Sequence, residues 1–212
     1  MTVSIVKVTF KKVYNREEVS VMTTKRPKIN TYDMTVIAMF AAVITICSWI
    51  SINVGPVPVT LQTFAIYSVV MLLGGRRGTF AMIVYLLLGF IGIPVFANFN
   101  TGSTVFFGPT CGYILGYLLS CVIYWVVADI LLKKFTSKHS LVAICIKCAI
   151  CIFGLAVVYV FGTVWFVEIY FKGDFGYKAA LALCVTPFVI PDLIKIAVAS
   201  TISYRIEKYV KK

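Results

Sequence analysis

The chain has 212 residues, of which 60% are hydrophobic and only 13% charged, so it is too apolar for a soluble domain or a disordered polymer. It carries 20 Lys and Arg against 8 Asp and Glu, a formal net charge of +12. The cations gather at the ends of apolar segments and form no basic, aromatic-studded face, so the excess reports membrane orientation and excludes a nucleic-acid partner.

Residues 1–30 read as a basic cytoplasmic N-terminal segment. It lacks the apolar core of a secretory signal, and Met22 opens Met-Thr-Thr-Lys-Arg-Pro-Lys, which reads as a natural cytoplasmic leader, so 1–21 are expected to be an upstream extension. Residues 31–212 read as a single membrane domain. Stretches 34–75 and 78–128 hold no Lys, Arg, Asp or Glu, and a helical crossing needs roughly 20 apolar residues. Six segments fit. The first runs from Met34 to Asn53 and stops at Gly55-Pro56-Val57-Pro58; the second runs from Val59 to Leu73 and stops at Gly74-Gly75-Arg76-Arg77-Gly78. The third spans Thr79 to Ile93, before Pro94, and the fourth runs from Gly108-Pro109 to Leu132. A fifth covers Leu141 to Val167. The sixth is expected to start at Pro191 and reach Arg205, preceded by a short helix over 178–186.

Lys172 and Lys178 are the only cations in the connections 54–58, 94–107 and 168–178, and Lys147 and Lys195 lie within apolar segments; every other Lys and Arg falls on the opposite side. This bias predicts an even number of crossings with both termini in the cytoplasm. The fold class expected is therefore an all-α bundle of six transmembrane helices whose outer loops fold over a ligand cavity.

An ionisable residue at membrane depth costs about 2.5–3.5 kcal/mol or more, so each one needs a partner or a purpose. Lys147 lies close enough to an end to snorkel, and Asp129 precedes Lys133 by four residues, a favourable helical pair. Asp192 and Lys195, three apart on one helix face, read as a polar site near the outer surface; a buried pair that only fixes helix packing is the competing reading. With Pro191 expected to open the helix, Asp192 falls in its first turn, where free N–H groups favour a carboxylate.

The segment from Pro94 to Ser103 is too apolar for a solvated loop and mixes aromatics with amides. It suits a segment folded over a cavity, with Asn98 or Asn100 as donor and acceptor and Phe96 and Phe99 as flat walls. The stretch from Gly55 reads as a stiff lid with Gln62 near its base. Small residues four apart, Ala38 with Ala42 and Gly112 with Gly116, mark close helix approach, and the first pair can face a partner membrane protein.

Other chemistry is thin. The seven cysteines all lie in apolar segments, and Cys145, Cys148 and Cys151 lack the fourth ligand and the imidazoles of a metal set, His139 being the only His. No cofactor or metal is expected. Gly74 to Gly78 lacks the Lys-Ser/Thr ending of a P-loop, so the chain carries no ATPase motif of its own.

Five stretches taken together closely resemble the BioY family: Val57-Pro58-Val59-Thr60-Leu61-Gln62-Thr63-Phe64, Leu73-Gly74-Gly75-Arg76-Arg77-Gly78, Gly92-Ile93-Pro94-Val95-Phe96-Ala97, Gly108-Pro109-Thr110-Cys111-Gly112-Tyr113 and Pro191-Asp192-Leu193-Ile194-Lys195. The resemblance runs in order from about residue 31 to 205, with Cys111 in place of an expected Gly. It implies a biotin-binding subunit of an energy-coupling-factor transporter in the plasma membrane, not an enzyme, which captures biotin outside and docks on a transmembrane coupling subunit and two ABC-type ATPase subunits. It implies Asp192 and Lys195 as the binding pair, Asn98 as the loop amide, and Ala38 and Ala42 as the docking motif. The chemistry of biotin is complementary. Its ureido ring has two N–H donors and one acceptor, and its apolar parts suit Phe96, Phe99 and Tyr113. Lys195 either holds the ureido oxygen, holds the ligand carboxylate, or keeps Asp192 ionised. A subunit for another vitamin (thiamine or riboflavin), an intramembrane enzyme, and a structural adaptor are the competing readings.

Overall fold

The computed structural model describes residues 30–53, 57–135 and 140–211 and is mostly helical. The expected segment 1–30 lies outside these residues except for Asn30. Helix α1, Thr31–Trp49, begins with a capping box: Asn30 accepts from the Thr31 N–H at 2.7 Å, and Asp33 accepts from the Asn30 N–H at 3.1 Å. The cap places the helix start ahead of Met34, where the long apolar run begins. Strands β1 (Ser51–Ile52) and β2 (Val59–Thr60) pair antiparallel, Ser51 opposite Thr60, and form the base of a hairpin where a lid was expected; Gly55 and Pro56 lie outside the described residues.

Helices α2, Gln62–Leu73, and α3, Gly75–Phe90, are separated by Gly74 alone. Its φ of 82° is a conformation that a side chain resists, so one glycine makes the corner. The expected break over Gly74–Gly78 is shorter than the glycine content suggests. The reason is packing, because a Cβ on Gly75 would strike the Trp125 backbone and one on Gly78 would meet Val70. Glycine inside the first turns of α3 allows close helix contact, and α3 starts ahead of the expected Thr79.

After a turn at Ala97–Phe99 come the short α4, Gly102–Phe106, and the long α5, Cys111–Phe135. Helix α6, Ser140–Val164, continues through wider π turns over Trp165–Tyr170. Then follow α7, Tyr177–Cys184, and α8, Thr186–Lys211. The main packing pairs are α5 with α6, α2 with α8, α1 with α3, and α3 with α5. Gly112 lies against Trp165 and Gly162, and Gly116 against the Val158 backbone, so their four-residue spacing serves α5–α6 contact. Ala38 and Ala42 lie on the exposed face of α1.

Pro191 does not open the last helix. It lies inside α8, which starts at Thr186. Pro187 occupies the first turn, where a missing N–H costs nothing, while Pro191 removes one helical bond and is tolerated inside the bundle. Asp192 is therefore beyond the first turn and draws no support from free N–H groups there.

Among the described residues, four helices are long and apolar enough to cross a membrane: Thr31–Trp49, Cys111–Ile130, Val142–Tyr170 and Thr186–Ile206. Helices α2 and α3, with 12 and 16 residues, are shorter than the roughly 20 that a full crossing takes.

At the end of the bundle where α1 and α3 begin, Asp33 and Arg77 form a buried ion pair at 3.1 Å. Lys147 reaches the Met71 carbonyl at 3.5 Å rather than only a headgroup layer. That carbonyl is in the last turn of α2, where no helical N–H follows, so the ammonium meets the negative end of the helix.

Gly162 packs against the Tyr113 ring, which a Cβ would strike, whereas Gly176 has open space around its Cβ position. Gly162→Ala is expected to destabilise by about 1–3 kcal/mol through overpacking, and Gly176→Ala to leave stability nearly unchanged. Thermal unfolding in detergent checks both.

Candidate functional site

The fold draws the ends of several helices and the loops between them around one cavity of about 310 Å³. Its polar centre is on α8. Asp192, only 2% exposed, makes an ion pair with Lys195 at 2.8 Å through Oδ1 and accepts from the Tyr159 hydroxyl of α6 at 2.9 Å through Oδ2. Lys195 Nζ also donates to the Thr60 carbonyl of β2 at 2.7 Å. Buried charges need both pairing and hydrogen bonds, and this site supplies them from three elements. Lys195 thereby fixes the hairpin to the membrane helix.

Elsewhere in the lining, Tyr117 and Thr63 share a hydroxyl hydrogen bond of 2.7 Å, and Gln62 donates through Nε2 to Tyr85 at 3.2 Å. These contacts join α2 to α5 and α3 and leave the Gln62 carbonyl oxygen able to accept. Tyr113, on α5, lines the cavity, and among the described residues its buried hydroxyl makes no well-formed hydrogen bond, with Thr163 and Cys184 as its polar neighbours. Burial raises the Cys184 thiol, also in the lining, so it stays neutral and behaves as an apolar group.

The loop after α3 closes another side. Ser48 donates to the Val95 carbonyl and Trp49 Nε1 to the Pro94 carbonyl at 2.9 Å, so the end of α1 holds the loop down. Phe96 is buried edge-on against Tyr85 and Phe106, with ring centroids 5.3 and 6.0 Å away. Asn98 and Phe99 both take φ of 56°, a costly conformation for a side chain and least so for Asn. The Asn98 amide donates to Asn53 at 2.9 Å and accepts from Ser51 at 3.0 Å, tying this loop to the hairpin.

Asp192, Lys195, Asn98, Tyr113, Phe96 and Gln62 all line this one cavity, as does Asn100. Phe99 does not. It is 61% exposed and packs at a tilt against Trp49, with ring centroids 4.9 Å apart, so it braces the loop from outside instead of forming a wall. Tyr159, Tyr117 and Thr63 were not expected here. Their signal in the sequence is faint: a phenol or hydroxyl within a mainly apolar helix, with nothing local to show which face meets the pair.

A BioY family pattern matches residues 21–212. The chain belongs to the BioY family. As a member of BioY it is 38% identical over 170 residues to the protein named Biotin transporter BioY of Thermotoga maritima, covering 80% of this chain and 92% of that one. It is 40% identical over 165 residues to Biotin transporter BioY2 of Lactococcus lactis subsp. cremoris, covering 77% and 84%. The crystal structure of an S-component for biotin from an ECF-type ABC transporter matches with a TM-score of 0.68 and 28% identity, over 83% of this chain and 90% of the other. BioY membership and the four long apolar helices together make this a multi-pass membrane protein.

Removing one partner of a buried ion pair leaves an uncompensated charge and costs about 3–5 kcal/mol, whereas removing both is often nearly neutral. Lys195→Met is therefore expected to lower the unfolding temperature of the ligand-free protein more than Lys195→Met combined with Asp192→Asn does. A loss in the double variant equal to the sum of the losses in Lys195→Met and Asp192→Asn alone would mean that the two charges are not energetically coupled.

Proposed function

We propose that this BioY protein is the substrate-specific, biotin-binding subunit of an energy-coupling-factor transporter, working as a transport subunit and not as an enzyme. The observation that carries the reading is the buried Asp192–Lys195 pair sharing one cavity with amides and aromatic walls, in a chain similar to proteins named as biotin transporters.

In this reading Asp192 accepts a hydrogen bond from a ureido N–H. Lys195 has one N–H left after Asp192 and Thr60, and directs it at the ureido oxygen. Asn98 retains one amide hydrogen and one acceptor lone pair beyond its bonds to Asn53 and Ser51, and so can address the ligand from the loop. Phe96 and Tyr113 enclose the apolar rings and chain, and Gln62 offers its oxygen from the start of α2.

The domain crosses the plasma membrane as six helices with both termini inside; the distribution of Lys and Arg supports this, and the shorter α2 and α3 cross as part of a packed bundle. The cavity then faces outward. Ala38 and Ala42, exposed and four apart on α1, let another helix approach closely and form the docking face for the transmembrane coupling subunit, with two ABC-type ATPase subunits behind it.

Saturable ligand binding raises folding stability by about 2.7 kcal/mol at 100 times Kd. Biotin is expected to raise the unfolding temperature of the purified chain, and thiamine and riboflavin to leave it unchanged; a shift with either comparator and none with biotin contradicts the assignment. Replacing Ala38 and Ala42 with Leu is expected to abolish copurification with the coupling subunit while biotin affinity stays within about twofold, because bulk blocks close approach without touching the cavity.

A further inference from the structure

We propose that the cavity reads its ligand through a neutral hydrogen-bonding head and ignores the charge on the tail, so that neutral amides and esters of the tail carboxylate are ligands in their own right. This deepens, and rests on, the biotin reading above.

Among the described residues, the only ionised groups in the lining are Asp192 and Lys195, and they are committed to each other at 2.8 Å. The lining from Asn53 through Tyr117 comes from 34–75 and 78–128, stretches that contain no Lys, Arg, Asp or Glu at all. The charged residues of the 168–178 connection (Glu168, Lys172, Asp174 and Lys178) are exposed and do not line the cavity. The walls therefore carry no unpaired cation for an anionic tail.

Lys195 does not supply one. Two of its three N–H groups are already used, on Asp192 and on the Thr60 carbonyl, and any anion brought to it meets the Asp192 carboxylate alongside. A carboxylate buried there without compensation would lose several kcal/mol of hydration. The cavity is also graded in depth: Asp192 and Phe96 are buried, whereas Asn53, Asn98 and Thr104 at the rim are exposed. A ligand with its ureido ring on Asp192 and Lys195 places its tail carboxylate among these neutral rim groups, in contact with water. Replacing that carboxylate with an amide changes a solvated group, not a buried one.

The test is calorimetric titration of the detergent-purified chain with biotin, with biotinamide, and with lipoate, which has the same carboxylate tail and no ureido ring. The expected result is that biotinamide binds within about fivefold of biotin, that lipoate shows no saturable heat, and that biotin affinity changes less than about twofold between low and high salt, because no charge pair with the ligand is there to be screened. Loss of more than about fivefold for biotinamide, a comparable weakening of biotin by salt, or saturable binding of lipoate overturns the proposal. With biotin binding intact, those outcomes leave the biotin assignment standing; absence of biotin binding itself overturns both.

Discussion

A carboxylate held inside a membrane domain has to be compensated where it stands, and the arrangement around the cavity follows from how Asp192 is compensated. One oxygen takes the Lys195 ammonium and the other the Tyr159 hydroxyl. Each of these fixes another part of the molecule: Tyr159 belongs to α6, and Lys195 reaches across to the Thr60 carbonyl. One charge thus organises α8, α6 and the hairpin. In surroundings this apolar, such bonds are exchanged for nothing equivalent if they are broken.

The loop over Pro94–Asn100 meets the same constraint with uncharged groups. Its Pro94 and Val95 carbonyls accept from Trp49 and Ser48, its Phe96 is locked among Tyr85 and Phe106, and its Asn98 amide is shared with Asn53 and Ser51. Two successive left-handed residues persist because those contacts determine the path of the chain on both sides. The cavity is consequently pre-formed in large part, and ordering its walls costs little on binding.

The apolar segments, the punctuation at Gly74 and at Pro94, and the polar pair on α8 were legible because each depends on local composition. The pair stands out as charge where charge is costly. The loop over Pro94–Asn100 was legible because it is too apolar to be solvated. What escaped depends on tertiary contact. Asn30 and Asp33 start α1 ahead of its apolar run, and Asp33 then meets Arg77, which the charge pattern alone presents as an orientation signal. Pro191 reads as a helix start, yet Thr186 and Pro187 already begin α8, and the surrounding bundle tolerates the one helical bond that Pro191 removes. Tyr159 is one phenol in a long apolar helix, and only the crossing of α6 with α8 gives it meaning. Phe99 has the composition of a cavity wall but is turned outward by the φ of its own backbone.

The central claim is that the Asp192–Lys195 pair is the ligand-reading element and not merely a packing device. Calorimetric titration of biotin into the parent chain, Asp192→Asn and Lys195→Met tests it most directly. The account predicts that each substitution weakens binding at least about tenfold, or about 1.4 kcal/mol, in protein that remains folded. Affinities of both variants within about twofold of the parent, about 0.4 kcal/mol, would contradict it.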